Sequence, residues 1–424
     1  MKLLLKNARL LDMVGEIPNL KEKDILIEEN KIIEISDNID VNVDKIIDCK
    51  KNIVMPGLVN THTHLAMSVF KGYKDDKKLM DWLQNGVWPV EKNFIDEDFY
   101  WNSYQSCLEL LKTGTTTCND MYFNMKDTIR AIEDSKIRAV VSWGITDNSV
   151  NDKIEETEKY AEKYNNDNNS KIKVYLSGHA PYTCNPNTIK DIINSAKRIN
   201  TGLHIHLSET LDEENEIKEK YGKSATEYLN DLGVFDVPVI LAHGIHLSSS
   251  DIEILQNIKG GISHNPISNC KLASGVCDVV TLRKNGIKVG LGSDGSGSTT
   301  TLDMFEEMRV TAYLQKIKHN DSEAIKAYEI LKMATIEGAE VLGLQKEIGT
   351  IEVGKKADII IIDTTNLKFF PENDISTILV YSANGDDVLT TIVDGQVLME
   401  NRKFLFSDEE LVKFHINQNA KRLL

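Results

Sequence analysis

Between residues 53 and 292, eight short apolar runs alternate with stretches patterned like helices, and this rhythm limits the fold more than any other feature. The runs cover residues 53–59, 115–119, 138–143, 173–177, 202–206, 238–242, 260–263 and 288–292. Strand-like runs separated by helical patterns indicate βα units on a parallel sheet, and eight is the number in a closed (β/α)8 barrel. Residues 303–314 and 322–342 carry apolar positions at helical spacing and are expected on its outer ring. The flanks follow another pattern, with short β-type runs at 3–5, 24–28, 31–35 and 45–47, and again at 357–363 and 388–395. The expected architecture is α/β: a TIM barrel over residues 54–346, with a small β-sandwich built from both termini, 1–53 and 347–424. The polar stretch 165–170 reads as a loop before the fourth barrel strand.

Chemistry in such a barrel sits at the C-terminal ends of the strands. Eight of the ten histidines fall at or near those ends. The first strand ends in His62-Thr-His64, the fourth reaches His179, and the fifth ends in His204-Ile-His206-Leu-Ser-Glu209. The sixth ends in His243-Gly-Ile-His246 and the eighth in Ser293-Asp294-Gly295. Side chains at i and i+2 of a strand share a face, so His62 and His64 converge. His206 lies nearer its strand end than His204, which is expected one layer deeper as a packed interior residue. His62, His64, His206 and Asp294 together form a mixed nitrogen and oxygen donor set. It suits Zn2+, one ion per subunit, with Fe2+ second. Such an ion brings the pKa of a coordinated water towards ~7. Glu209, three residues past His206, falls beside that set as a general acid/base. His243 is placed to hydrogen-bond the water.

Other residues have plainer readings. His246 and His264 read as packing residues and His319 and His415 as surface ones, while Trp82 and Trp88 fit either core or pocket wall. The acidic run 212–216 reads as a solvated helix start. A net charge of -16 argues against binding to a nucleic-acid backbone, which needs clustered Lys and Arg. No apolar stretch approaches the ~20 residues of a membrane span, and the first residues lack the apolar run of a signal peptide. Six scattered cysteines without a C-x-x-C pair fit reduced thiols in a cytoplasmic protein.

The motifs Pro56-Gly-Leu-Val-Asn-Thr-His-Thr-His64, His204-Ile-His-Leu-Ser-Glu209 and Gly292-Ser-Asp-Gly295 resemble the metal motifs of the amidohydrolase superfamily. Residues 302–309 and 348–358 resemble its supporting segments, so the likeness covers nearly the whole chain. Within the superfamily the chain looks most like the 5-methylthioadenosine/S-adenosylhomocysteine deaminases, some of which prefer 5'-deoxyadenosine. That resemblance implies hydrolytic deamination at C6 of an adenine nucleoside and a homo-oligomer, dimer or tetramer. It implies that Glu91, in Trp88-Pro-Val-Glu91, holds the ribose hydroxyls and that His179 contacts substrate. Glu209 would protonate N1 and serve the departing ammonia, with His243 and Asp294 orienting the nucleophile and taking its proton. Two departures matter. No lysine stands near the end of strand four to bridge two metals, which implies a mononuclear site. No arginine stands near the end of strand three, where the chain reads Trp143-Gly-Ile-Thr-Asp147, which favours a small neutral 5' group. The alternative on the same scaffold is a free-base (guanine or cytosine) deaminase or a triazine hydrolase.

Overall fold

The computed structural model describes residues 1–167 and 169–424. Eight parallel strands form one sheet in sequence order: Leu58–Thr63, Thr115–Tyr122, Arg138–Trp143, Ile172–Ser177, Leu203–Leu207, Val239–His243, Gly260–His264 and Val289–Leu291. The ring closes between the last and the first. The Asp294 N–H donates to the His62 carbonyl and the Thr61 hydroxyl to the Leu291 carbonyl, each at 2.9 Å. Helices cover the outer face, so most strand residues are buried on both sides, including polar ones such as those of Thr115–Tyr122.

The second sheet has nine mixed strands drawn from both ends of the chain. Ile53–Pro56 pairs with Lys2–Leu11 on one side and with Ile359–Ile362 on the other, which joins the two termini. Its apolar face buries Leu3, Leu5, Ile25, Ile27, Ile359 and Ile361.

Several expectations need correcting. The run 53–59 is two strands: Ile53–Pro56 belongs to the nine-stranded sheet and Leu58–Thr63 opens the barrel. Gly57 separates them, and a Cβ there would lie 2.2 Å from the Thr116 side chain, so the chain can pass only without one. The expected helix 322–342 is two short ones, Ala327–Met333 and Ile336–Val341, interrupted at Thr335. Asn165 is not loop: it ends the helix Val150–Asn165, and its side chain pairs with both the N–H and the carbonyl of Val174 at 2.8 and 2.9 Å. Residue 168 of that stretch lies outside the described residues. The C-terminal segment also carries a helix that its weak apolar pattern hides, Glu409–Leu423. It packs on Asp96–Lys112 of the barrel, with His415 stacked on Trp101 at 3.8 Å.

At the N-terminal rim of the barrel, Arg138 bolts the two sheets together. Its guanidinium donates to Asp358 at 2.7 and 3.0 Å and to Asp394 at 3.2 Å. Among the described residues, no helix is long and apolar enough to cross a membrane.

Candidate metal centre and substrate cleft

The hydrogen bond that closes the barrel also builds the site. By tying Asp294 to the backbone of His62, it sets the Asp294 carboxylate against the two histidines of the first strand. Oδ1 of Asp294 lies 3.2 Å from His64 Nε2 and 3.4 Å from His62 Nε2, and His64 Nε2 lies 3.3 Å from His206 Nε2. Tetrahedral coordination with bonds of 2.0–2.1 Å has donor-to-donor edges of roughly 3.3–3.4 Å. The three contacts that join His62, Asp294, His64 and His206 in a row already stand at that spacing.

Each imidazole is oriented by its other nitrogen. His64 Nδ1 donates to the Met121 carbonyl and His206 Nδ1 to the His179 carbonyl, both at 2.6 Å. Under His62 a chain of three groups does the same. The Ser142 hydroxyl donates to the Asp120 carbonyl at 3.0 Å, so its oxygen accepts from His204 Nδ1 at 3.2 Å. His204 Nε2 then accepts from His62 Nδ1 at 2.9 Å. His204 is thus interior, as expected, and also fixes the tautomer of His62. Oδ2 of Asp294 accepts from the Ser268 and Ser298 hydroxyls at 2.6 and 3.0 Å, which leaves Oδ1 for the histidines.

The electrostatics agree with a cation site. Burial holds the His62 pKa near 4, so its Nε2 is an unprotonated donor, buried and without a hydrogen-bond partner. Burial also opposes charge on His64, but the Asp294 carboxylate outweighs it and raises the pKa to about 9. Burial, with the neighbouring histidines, holds His206 well below its usual value. At Asp294 burial works upward, and contacts with His62 and His64 override it, keeping the carboxyl well below its usual range. A cation would take the place of the proton that His64 now draws. The residues therefore fit a metal ion.

The donors open into a cleft lined by His179, Glu209, His243, Glu91, Trp82 and Trp88 among others. Both tryptophans are wall residues, carried on a helical segment that includes a π-turn, Leu83–Val87. His243 Nδ1 donates to Asn269 Oδ1 at 2.8 Å, which turns Nε2 toward Glu209 Oε2 at 3.7 Å. Burial raises the pKa of Glu209. His179 Nδ1 donates to the Thr183 hydroxyl at 3.0 Å, and burial lowers the ring to about 3, so Nε2 is a free acceptor. Enclosure raises Glu91 to about 7, and Tyr122 donates its hydroxyl to that carboxyl. His246 donates to the Ser274 carbonyl at 2.8 Å.

Sequence reasoning missed Ser268, Asn269 and Ser298. The first two follow the seventh strand, so their place at the C-terminal rim was the available signal. The acidic run 212–216 does start a helix with Asp212 and Glu216 exposed, but Glu213 is buried and accepts from the backbone N–H groups of Ser208 and Glu209.

A barrel with convergent metal donors at its C-terminal rim defines a class of protein, and the comparisons narrow it. A model of the amidohydrolase family matches residues 53–398, and the chain belongs to that family. It is 45% identical, over the full length of both chains, to the 5-methylthioadenosine/S-adenosylhomocysteine deaminase of Thermoanaerobacter pseudethanolicus. It is also 45% identical to the 5'-deoxyadenosine deaminase of Methanobrevibacter smithii, over 96% of this chain and 95% of that one. A crystal structure of an adenosine deaminase from Xanthomonas campestris with bound zinc superposes with a TM-score of 0.96 at 28% identity, covering 99% of this chain and 98% of that one.

Proposed function

We propose that the protein deaminates adenine nucleosides derived from S-adenosylmethionine, releasing ammonia and the inosine analogue. The observation that carries this reading is that one cleft holds the metal donors, a carboxyl raised by burial (Glu209), and two acceptors suited to ribose hydroxyls (Glu91, His179). The names of the full-length relatives and the zinc in the similar structure support it. His62, His64, His206 and Asp294 would hold one Zn2+, with Fe2+ as the second candidate. When bound, that ion supplies a hydrolytic nucleophile at neutral pH.

The chain's own residues do the rest. Glu91 accepts from the ribose hydroxyls and His179 Nε2 from the sugar side, which fixes C6 over the donors. Glu209, whose carboxyl burial shifts toward its protonated form, donates to N1 and makes C6 electrophilic. His243 Nε2 accepts from the attacking water, whose proton passes to Asp294. As C6 collapses to its carbonyl, the ionised Glu209 takes the C6 hydroxyl proton and passes it to the departing ammonia, and the proton on Asp294 returns to Glu209. No lysine or arginine lines the cleft, while Glu91, Glu209 and Asp294 do, which favours 5'-deoxyadenosine and 5'-methylthioadenosine over the carboxylate-bearing S-adenosylhomocysteine. All six cysteines are free and five of them buried, in keeping with a reducing cytoplasm.

Ultraviolet spectra of the zinc-loaded protein with these nucleosides, adenosine, guanine and cytosine test the reading. Conversion to a hypoxanthine spectrum with ammonia release supports it; turnover of a free base alone would overturn it. Glu209→Gln should lower kcat by about 10²–10⁴-fold with metal content intact.

A further inference from the structure

We infer that Glu213 is a positioning residue that aims Glu209, an inference that rests on the proton-transfer role given to Glu209 above. The Glu209 side chain makes no hydrogen bond among the described residues; His243 Nε2 lies 3.7 Å from its Oε2. Its direction is therefore set by its backbone. That backbone follows Ser208, which sits at φ +51°, a left-handed conformation that a residue with a Cβ adopts only when something holds it.

Glu213 is what holds it. Oε1 accepts the Ser208 N–H at 3.1 Å and Oε2 the Glu209 N–H at 2.8 Å. The carboxylate comes from the first turn of the helix Leu211–Tyr221, whose N-cap is Thr210. The Thr210 hydroxyl in turn accepts the Glu213 N–H at 3.1 Å. In an ordinary capping box the third helical residue reaches back to the cap's own N–H. Here it reaches past the cap to the two residues before it, so its bonds serve the turn that carries Glu209 as well as the helix end. The turn is also tied to the other side of the cleft. Leu207 and Ser208 carbonyls accept the N–H groups of Gly244 and Ile245, at 2.9 and 3.0 Å, directly after His243. Ser208 further donates its hydroxyl to Glu214. The acidic run is a cradle for the turn.

Glu213→Gln keeps length and volume but turns one acceptor oxygen into a donor facing a backbone N–H. Displacing a reacting group by about 1 Å can cost up to ~10²-fold. The expected result is a kcat loss of about 10–100-fold, with KM and metal content unchanged. A purely structural role would lower the folded fraction and leave kcat per folded, metal-loaded molecule alone, which would overturn the inference. The double variant with Glu209→Gln is sharper. If Glu213 acts through Glu209, the double variant turns over no more slowly than Glu209→Gln alone, whereas additive losses would overturn the inference. Glu213→Asp, which keeps the carboxyl on a shorter arm, enters the same cycle under the same criteria should the glutamine variant fold poorly. If the wild-type protein deaminates no adenine nucleoside, the functional reading falls, and the placement is then judged by crystallography. A displaced Glu209 side chain in the Glu213 variant upholds it; an unmoved one overturns it.

Discussion

The two rims of the barrel both bury charge, and they do so in opposite ways. At the N-terminal rim, Arg138 meets Asp358 through two nitrogens and Asp394 through one, and Asp358 Oδ1 also accepts the Asp394 N–H at 2.8 Å. Each charge there has an opposite partner at hydrogen-bond distance. At the C-terminal rim, three imidazole nitrogens and a carboxylate oxygen converge, with His62 Nε2 unpartnered. Two more carboxyls, Glu91 and Glu209, are pushed upward by burial. His243 and Asp294 hold φ at +77° and +65°, which their side chains disfavour. Buried charge that is fully paired is structure, while buried donors that converge without partners form a site for something else.

That contrast can be broken by substitution. Asp294→Ala should give the largest effect. It removes the one anionic donor, so metal content measured by elemental analysis should fall to background and turnover by at least about 10³-fold, with the fold intact by circular dichroism. An active, metal-loaded Asp294→Ala would show that the C-terminal rim is not the metal site. Arg138→Met should do the reverse. It leaves Asp358 buried without its cation and should lower unfolding free energy by about 3–5 kcal/mol in denaturant titration. Metal content and KM of the folded protein should not change; if they do, the rims are not separable.

Glu91→Gln should give the smallest effect, a KM increase of about 10–100-fold with kcat nearly kept, since two ribose hydroxyls lose an anionic acceptor. The Glu91 pKa, raised by burial to about 7, adds a pH dependence. The folded state holds that proton more tightly than the unfolded chain does. Its contribution to stability is therefore full below the unfolded value near 4.5 and lost as pH rises through about 7. Substrate binding runs the other way, because only the ionised carboxyl accepts from both hydroxyls. KM should fall as pH rises through about 7, and this limb should vanish in Glu91→Gln.

Much of this was legible in the chain. The eight βα repeats specify the parallel barrel because parallel strands need a crossover, here a helix, between one and the next. The i, i+2 spacing of His62 and His64 specifies a shared face because strand side chains alternate. The boundary between the two sheets was not legible. Residues 53–59 read as one unbroken apolar run, and only Gly57 packed under Thr116 shows that the chain changes sheets there. The supporting polar residues were hidden for a related reason. Ser142, Ser268, Asn269 and Ser298 have no pattern of their own, because a hydroxyl or amide acquires a role only from what it faces. Glu213 looked like one solvated acid in a run of them until the fold buried it against two backbone amides.

By itself the sequence determined the barrel, the terminal β annex and the four candidate metal donors, because these depend on local periodicity and on residue type at strand ends. Only the tertiary structure decided which nitrogen of each histidine faces the cleft, which oxygen of Asp294 is free, and what aims Glu209. Those choices depend on hydrogen bonds between residues far apart in the chain, and ring closure alone brings them together.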